Sequence, residues 1–453
     1  MPNTNMETHK SARVKSFIKA LEQGAPHPPV RLMLNSLHPA EIAHLIESVP
    51  LTHREILWEL VNSESGGEVL LHVNDEVRAS LIEKMETTEI VAATENMDMD
   101  DLADFIKDLP TTVSFAVVNS LDKQDRQRLQ SVLSYDEDSA GGLMNTDTIT
   151  VRPDVALEVV QRYLRMQHKK IPANTDKIIV VDQADRYVGL LNITDLITHD
   201  PSQSVSEVLV TSQDGIPANL PAAQVAHLFE DRDLLSAPVI DENGKLLGRI
   251  TIDDVVDVIR DEADHSIMRM AGLDEEDDMF APVVVSTKRR AVWLGVNLVT
   301  ALLASLVISF FDTALKAKYQ LAILMPIVAS MGGIAGSQTL TLAIRGIALG
   351  HIGSSNAKSL LVKEITIGAL NGVLWALAVG GLSSWWFDPV TGAVIAGAII
   401  INLLIAALSG ITIPLALKKL NIDPALAGGV ILTTVTDVIG FLAFLGLATI
   451  ILL

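Results

Sequence analysis

ALAGGVILTTVTDVIGFLAFLGLATIILL, Ala425 to Leu453, is the stretch on which the architecture turns. At ~1.5 Å per helical residue it is long enough to cross a ~30 Å hydrocarbon layer. Yet Asp437 stands about a dozen residues into it, near the middle. A carboxylate at that depth costs ~2.5 to 3.5 kcal/mol on insertion scales. No lysine or arginine is expected inside a span to neutralise it. One reading is a protonated or locally hydrogen-bonded aspartate that only packs helices. The other is a cation site, where two copies in a dimer would repel unless a cation sat between them.

Four further apolar stretches precede it: Ala291 to Phe311, Leu321 to Ile344, Ile365 to Phe387 and Val390 to Leu417. Five spans are therefore predicted, with the chain ends on opposite sides of the membrane. Cytoplasmic loops carry the excess of lysine and arginine. With the N-terminus inside, Lys288, Arg289, Arg290, Arg345, Lys358, Lys363, Lys418 and Lys419 fall on the inner side, and Lys316 and Lys318 on the outer. The expectation is a multi-pass protein of the cell (inner) membrane with a cytoplasmic N-terminus and Leu453 on the far side. Met1 to Lys19 lacks the apolar core of a signal peptide, which agrees with that orientation.

The second span carries Pro326 and then Met331-Gly332-Gly333-Ile334-Ala335-Gly336-Ser337-Gln338-Thr339-Leu340-Thr341. Glycines alone would mean close helix packing. The added hydroxyls and amide suggest a wetted wall. Gly333, Ser337 and Thr341, with Thr433, Thr434 and Thr436 of the last span, are the candidate pore-lining residues.

Charge divides the chain. Residues 286–453 hold five acidic and ten basic groups, which leaves 50 acidic and 24 basic groups, a formal charge of −26, in residues 1–285. Such a front repels nucleic acid and anionic headgroups and attracts cations. The chain has no cysteine, so disulfides and thiolate metal sites are excluded and hard oxygen ligands remain.

Within the front, two segments repeat at an offset of 59 residues: Val181-Asp182 through Gly189 to Ile193-Thr194-Asp195, and Ile240-Asp241 through Gly248 to Ile252-Asp253-Asp254. Each predicts a strand, a polar turn, a second strand and a helix start. Helical stretches near Ala156 to Gln167 and Ala222 to Arg232 precede them. The order resembles a tandem pair of CBS domains, regulatory modules that often bind adenine nucleotides. A looser repeat, offset by 60, links Glu41 to Pro50 with Asp101 to Pro110 and predicts an α-helical superhelix.

Acidic residues crowd the exit from the second repeat. Asp254, Asp257 and Asp261 fall at i, i+3 and i+7 of a helix, with Glu262 and Asp264 alongside and Asp274 to Asp278 beyond. Like charges so spaced destabilise an isolated helix by ~0.2 to 0.5 kcal/mol per pair. A divalent cation would relieve this; a solvated face is the alternative. Asp98, Asp100, Asp101, Asp104 and Asp108 pose the same question earlier in the chain.

Taken together the chain resembles the MgtE family of magnesium channels. Its most specific pieces are Asp423-Pro424-Ala425-Leu426-Ala427, Thr433 to Asp437 with Gly440-Phe441, Ala140-Gly141-Gly142-Leu143-Met144, and the glycine-rich second span. The resemblance implies a multidomain membrane protein: a helical N-domain (1–137), CBS domains (138–200 and 201–262), a connecting plug helix and linker (263–287, the helix about Ala263 to Leu273), and a five-helix transmembrane domain (288–453). It implies a homodimer in which Asp437 holds hydrated Mg2+. It also implies cytoplasmic Mg2+ sensing at Asp100, Asp104, Asp233, Asp254, Asp257, Glu262 and Asp423, and ATP at the CBS domains. This chain has Ile334 and Ser337 where many relatives have asparagines, Lys316 where some have an acid, and Ala223 and His265 in place of carboxylates. The competing readings are a Co2+ or Mn2+ transporter or exporter, and a membrane-tethered CBS nucleotide sensor. No nucleophile, general-base or phosphate-loop constellation suggests an enzyme.

Overall fold

The computed structural model describes residues 27–95, 97–168, 171–172, 175–273, 278–349, 351–353, 356–420 and 422–452. The readings that fall on Met1 to Lys19, Asp274 to Asp277 and Leu453 lie outside these. The chain divides into two compact units, Met1–Ala263 with Glu276–Ala281, and Asp264–Glu275 with Pro282–Leu453.

The first unit opens with short helices whose ends are written in the sequence. Pro39 occupies the first turn of Pro39–Glu47. Ahead of it His38 Nδ1 accepts from Ala40 N at 3.3 Å, and Glu41 accepts from His38 N at 3.1 Å. Pro50 and Pro110 sit at the starts of Leu51–Leu60 and Thr111–Ser120. Pro39–Glu47 packs on Ser63–His72, which packs on Thr87–Thr94, which packs on Thr111–Ser120; Met99–Lys107 packs on Lys123–Val132. Alternate helices thus stack as a superhelix around Ile42, Ile46, Leu57, Leu70, Leu102, Phe105 and Leu129, all nearly or fully buried. The looser repeat at offset 60 reappears as the helices Pro39–Glu47 and Met99–Lys107.

Two three-stranded sheets follow. In the first, β1 (Thr150–Val151) runs parallel to β2 (Lys177–Val181), which pairs antiparallel with β3 (Tyr187–Asn192). In the second, β4 (Ile216–Pro217), β5 (Ser236–Ile240) and β6 (Leu246–Thr251) repeat that order. The offset of 59 holds pair for pair: Lys177↔Asn192 becomes Ser236↔Thr251, and the irregularity at Val180/Val181 becomes one at Val239/Ile240. The turns match too. Asp182 Oδ1 accepts from Ala184 N and Arg186 N, and Asp241 Oδ1 from Asn243 N and Lys245 N. Asp185 and Gly244 take the same left-handed position, φ 59° and 76°. The two turns meet through Tyr187 N to Gly244 O and Leu246 N to Asp185 O, both 2.9 Å, which gives the pair its pseudo-twofold character.

The helix after β6 runs unbroken from Ile252 to Met270, so the stretch expected as a separate connecting helix from Ala263 is its continuation. It ends where Gly272 takes φ 71° and Leu273 N bonds back to Met268 O at 3.0 Å.

Among the described residues the second unit holds five helices long and apolar enough to cross a membrane: Val283–Ser309, Gln320–Ala348, Ala357–Trp386, Pro389–Lys419 and Pro424–Leu452. They begin earlier than the apolar stretches. The first starts at Val283 rather than Ala291, and the third at Ala357 rather than Ile365. Lys288, Arg289, Arg290, Lys358, Lys363 and Glu364 therefore lie inside helices. Lysine, arginine and glutamate are good helix formers, so a hydropathy boundary marks the hydrocarbon edge and not the helix end. A short helix, Asp312–Ala317, separates the first two spans. The fourth is the most enclosed and packs on the second, third and fifth. Glycines admit the contacts: Gly368 lies against Ala407, Gly380 against Ala396, and Gly410 against Thr339.

Candidate functional site

On the second and fifth membrane helices, helical periodicity sorts neighbouring residues onto opposite faces. Gly332, Gly336 and Leu340 are buried, whereas Ser337 and Thr341 are exposed and Gly333 has open space where a side chain would stand. On the fifth helix Leu432, Thr436 and Gly440 are buried, Thr433 is exposed, and Thr434 and Asp437 are half-buried. Each stripe follows an i, i+4 spacing. Thr436 is fully buried, with its hydroxyl donating to Leu432 O and Thr433 O at 3.1 Å. It therefore does not line an open path, contrary to expectation. Every fourth residue of a helix shares a face, and Thr436 follows Leu432, not Thr433.

Thr433 and Thr434 also donate their hydroxyl protons to their own helix, Thr433 to Gly429 O at 3.0 Å and Thr434 to Val430 O at 2.6 Å. Their oxygens stay available as acceptors. The Asp437 side chain makes no hydrogen bond or ion pair among the described residues. The surface it shares with Thr433 is thus a line of oxygen acceptors in an otherwise apolar helix.

The first unit holds a second concentration of carboxylates. One carboxylate oxygen each from Asp98, Asp100 and Asp101, at the start of Met99–Lys107, lies within 4.8 Å of the others. Asp100 is 6% exposed and its Oδ1 has no hydrogen-bond partner. Burial, then the charges of Asp254, Asp101 and Asp98, push its carboxyl well above the usual range. Burial, then the charges of Asp254, Asp98, Asp104 and Asp253, raise Asp101 to about 7. Burial raises Asp254 to about 6, although its Oδ2 accepts from Thr251 Oγ1 at 2.9 Å and Thr251 N at 3.2 Å. Asp98 is raised too, by burial and then by Asp147. Crowded carboxylates that cannot all ionise, with a buried oxygen left unpaired, are a hard-oxygen donor set suited to a divalent cation.

Of the carboxylates singled out in the sequence, the structure brings Asp98, Asp100, Asp101 and Asp254 together. Asp104 points elsewhere: it pairs with Lys107 at 2.9 Å, and Lys107 with Glu137 at 3.0 Å. Asp233 is exposed at the left-handed C-cap of Ala222–Arg232. Asp257 is exposed, 3.8 Å from Arg260, and Glu262 is exposed. In the second unit Asp423 opens the fifth span, its Oδ1 accepting from Ala425 N at 2.8 Å. Its Oδ2 is buried without a hydrogen bond, 3.8 Å from His265 Nε2.

Three buried polar arrangements escaped the sequence reading. Glu364 is buried on the third span and accepts from Thr339 Oγ1 at 3.2 Å. Asn402 is buried on the fourth. Arg54 and Asp278 form a buried pair. An isolated polar residue in the apolar run Ala393 to Leu408 was the available signal for Asn402; the other two depend on partners far away in the chain.

The family model described as a divalent cation transporter, MgtE, matches residues 325–447. The MgtE intracellular N domain matches 37–138, and the CBS domain matches 140–202 and 205–261. The chain is 29% identical over 443 residues to the magnesium transporter MgtE of Thermus thermophilus, covering 96% of this chain and 98% of the relative. It is 27% identical over 420 residues to the magnesium transporter MgtE of Bacillus subtilis, covering 92% and 93%. A crystal structure of the cytosolic domain of the Mg2+ channel MgtE in complex with ATP aligns with a TM-score of 0.49 at 30% identity, over 54% of this chain and 99% of that one.

Proposed function

This chain belongs to the MgtE family of divalent cation transporters, and from that premise we propose that it is a Mg2+ uptake channel closed by cytoplasmic Mg2+. Asp437 carries the reading. It is an unpartnered carboxylate on an accessible stripe of a membrane helix, beside Thr433. A lipid-facing position would leave that charge uncompensated. A homodimer that apposes two such stripes would place a cation between two carboxylates. Mg2+ dehydrates reluctantly, so it would pass with its water shell, and hydroxyl and carbonyl oxygens at Gly333, Ser337, Thr341, Thr433 and Thr434 suit a hydrated ion.

For gating, Mg2+ binds the carboxylates of Asp98, Asp100, Asp101 and Asp254 and holds the helical and CBS parts together. When Mg2+ is scarce, the −26 charge of residues 1–285 favours separation and an open pore. Asp233, Asp257 and Glu262 are exposed and so available to further ions or to the second subunit, and Asp423 offers an unbonded oxygen. Asp104, held by Lys107, contributes least. The two CBS matches support an adenine nucleotide such as ATP as a further ligand. The excess of basic residues before the first span, between the second and third, and between the fourth and fifth supports a cytoplasmic N-terminus in an inner membrane. With that orientation a 100 mV potential, negative inside, favours entry of a divalent ion by about 4.6 kcal/mol.

The test is Mg2+ flux into proteoliposomes, with Mn2+ and Co2+ run alongside. The expected result is Mg2+ entry that stops when Mg2+ is raised on the side of the soluble part. Nucleotide binding with no ion flux would establish the tethered-sensor reading instead.

A further inference from the structure

Asn402, in the interior of the fourth span, is 1% exposed. Its Nδ2 donates at 2.8 Å to the carbonyl of Val328 on the second span, and its Oδ1 is buried with no hydrogen-bond partner. Two glycines make room for the amide. A Cβ at Gly332 of the second span would lie 2.2 Å from Nδ2, and one at Gly440 of the fifth would lie 2.7 Å from it. One side chain therefore rests against the backbones of both helices that carry the exposed polar stripes. Gly332 immediately precedes Gly333, and Gly440 lies three residues beyond Asp437, about 60° round the helix.

Packing alone does not account for an amide here. Leucine has nearly the same branched shape and would fill the space without leaving a buried oxygen unsatisfied. What leucine lacks is a directional bond across helices. Buried asparagines in helical assemblies can fix register at a cost in stability, by just such a bond. We propose that Asn402 is a positioning residue for ion passage. By bonding Val328 O and bearing on Gly332 and Gly440, it sets the rotation of the second and fifth spans so that Gly333 and Asp437 both turn toward the cation path. The proposal rests on the transport reading, and on nothing about the cytoplasmic carboxylates.

The experiment compares wild-type protein, Asn402→Leu and Asn402→Ser in proteoliposomes. It reads Mg2+ flux per folded chain, the ratio of Mg2+ to Co2+ flux, and the oligomer by size-exclusion chromatography. The expected result for both variants is an assembled protein whose Mg2+ flux falls roughly two- to tenfold, the range that loss of one hydrogen bond commands, with the Mg2+ to Co2+ ratio shifted. A purely structural residue would lower the yield of folded protein and leave both per-chain quantities alone; that outcome in either variant overturns the proposal. Absence of flux in the wild type would instead remove the transport reading on which it rests.

Discussion

Arg54 Nη1 and Nη2 grip the two carboxylate oxygens of Asp278 at 2.8 and 3.2 Å, across 224 residues of sequence. Arg54 is 1% exposed and Asp278 8%. Arg54 Nε donates to Ile46 O at 3.2 Å, and Asp278 N donates to Glu76 at 2.8 Å. Burial alone would raise the Asp278 carboxyl, but the Arg54 guanidinium and the Phe280 N–H hold it below the usual range. Five residues later Val283 begins the first membrane helix. The helical part of the first unit thus holds the segment that leads directly into the membrane.

Asp278→Ala leaves the Arg54 charge buried and unpaired, and is expected to cost ~3 to 5 kcal/mol. The double variant Arg54→Met/Asp278→Leu should recover most of that loss, because an apolar pair of similar volume has no charge to desolvate. Thermal unfolding of the three proteins in detergent checks this. A single variant as stable as wild type would show that the pair contributes little.

The acidic cluster predicts a pH dependence of definite sign. Asp101 and Asp254 are raised to about 7 and about 6 in the folded state, so that state binds more protons than the unfolded chain between the unfolded value near 4 and those values. Their contribution is therefore fully present below about pH 4 and lost as pH rises toward about 7, unless a cation replaces the protons. Without divalent ions, amide exchange in Met99–Lys107 and Thr251–Val255 should quicken between about pH 5 and pH 7.5 beyond its intrinsic rise, and millimolar Mg2+ should suppress the increase. In Asp100→Asn the Mg2+ effect should shrink. Equal exchange with and without Mg2+ would count against a sensor here.

Adjacent glycines of the second span should respond oppositely. A Cβ at Gly332 would strike Asn402, whereas one at Gly333 meets nothing within 4 Å. Gly332→Ala should destabilise by ~1 to 3 kcal/mol through overpacking. Gly333→Ala should assemble normally, because alanine is the better helix former. Melting temperature in detergent separates them, and equal values would mean that the packed face has been misassigned.

Much of the fold is legible because it depends on local chemistry. The repeat at offset 59 survives down to the left-handed turn positions at Asp185 and Gly244, since Asp182 and Asp241 each build the same turn from their own backbone neighbours. Asp437 is legible because its cost in an apolar run is visible without a structure. The span ends are not, because hydropathy stops at Lys288 or Lys363 and the helix does not. Sequence proximity made Asp100 and Asp104 look alike. One joins Asp98, Asp101 and Asp254, while the other turns to Lys107, and the difference is set by packing between segments about 150 residues apart. Arg54 and Asp278 carry no local sign of each other.

Passage of Mg2+ beside Asp437 is tested most directly by Mg2+ uptake through Asp437→Ala in proteoliposomes. Flux should vanish at unchanged oligomeric size, with Asp437→Asn also severely impaired because the charge is missing. Undiminished Mg2+ entry in the alanine variant would contradict the account.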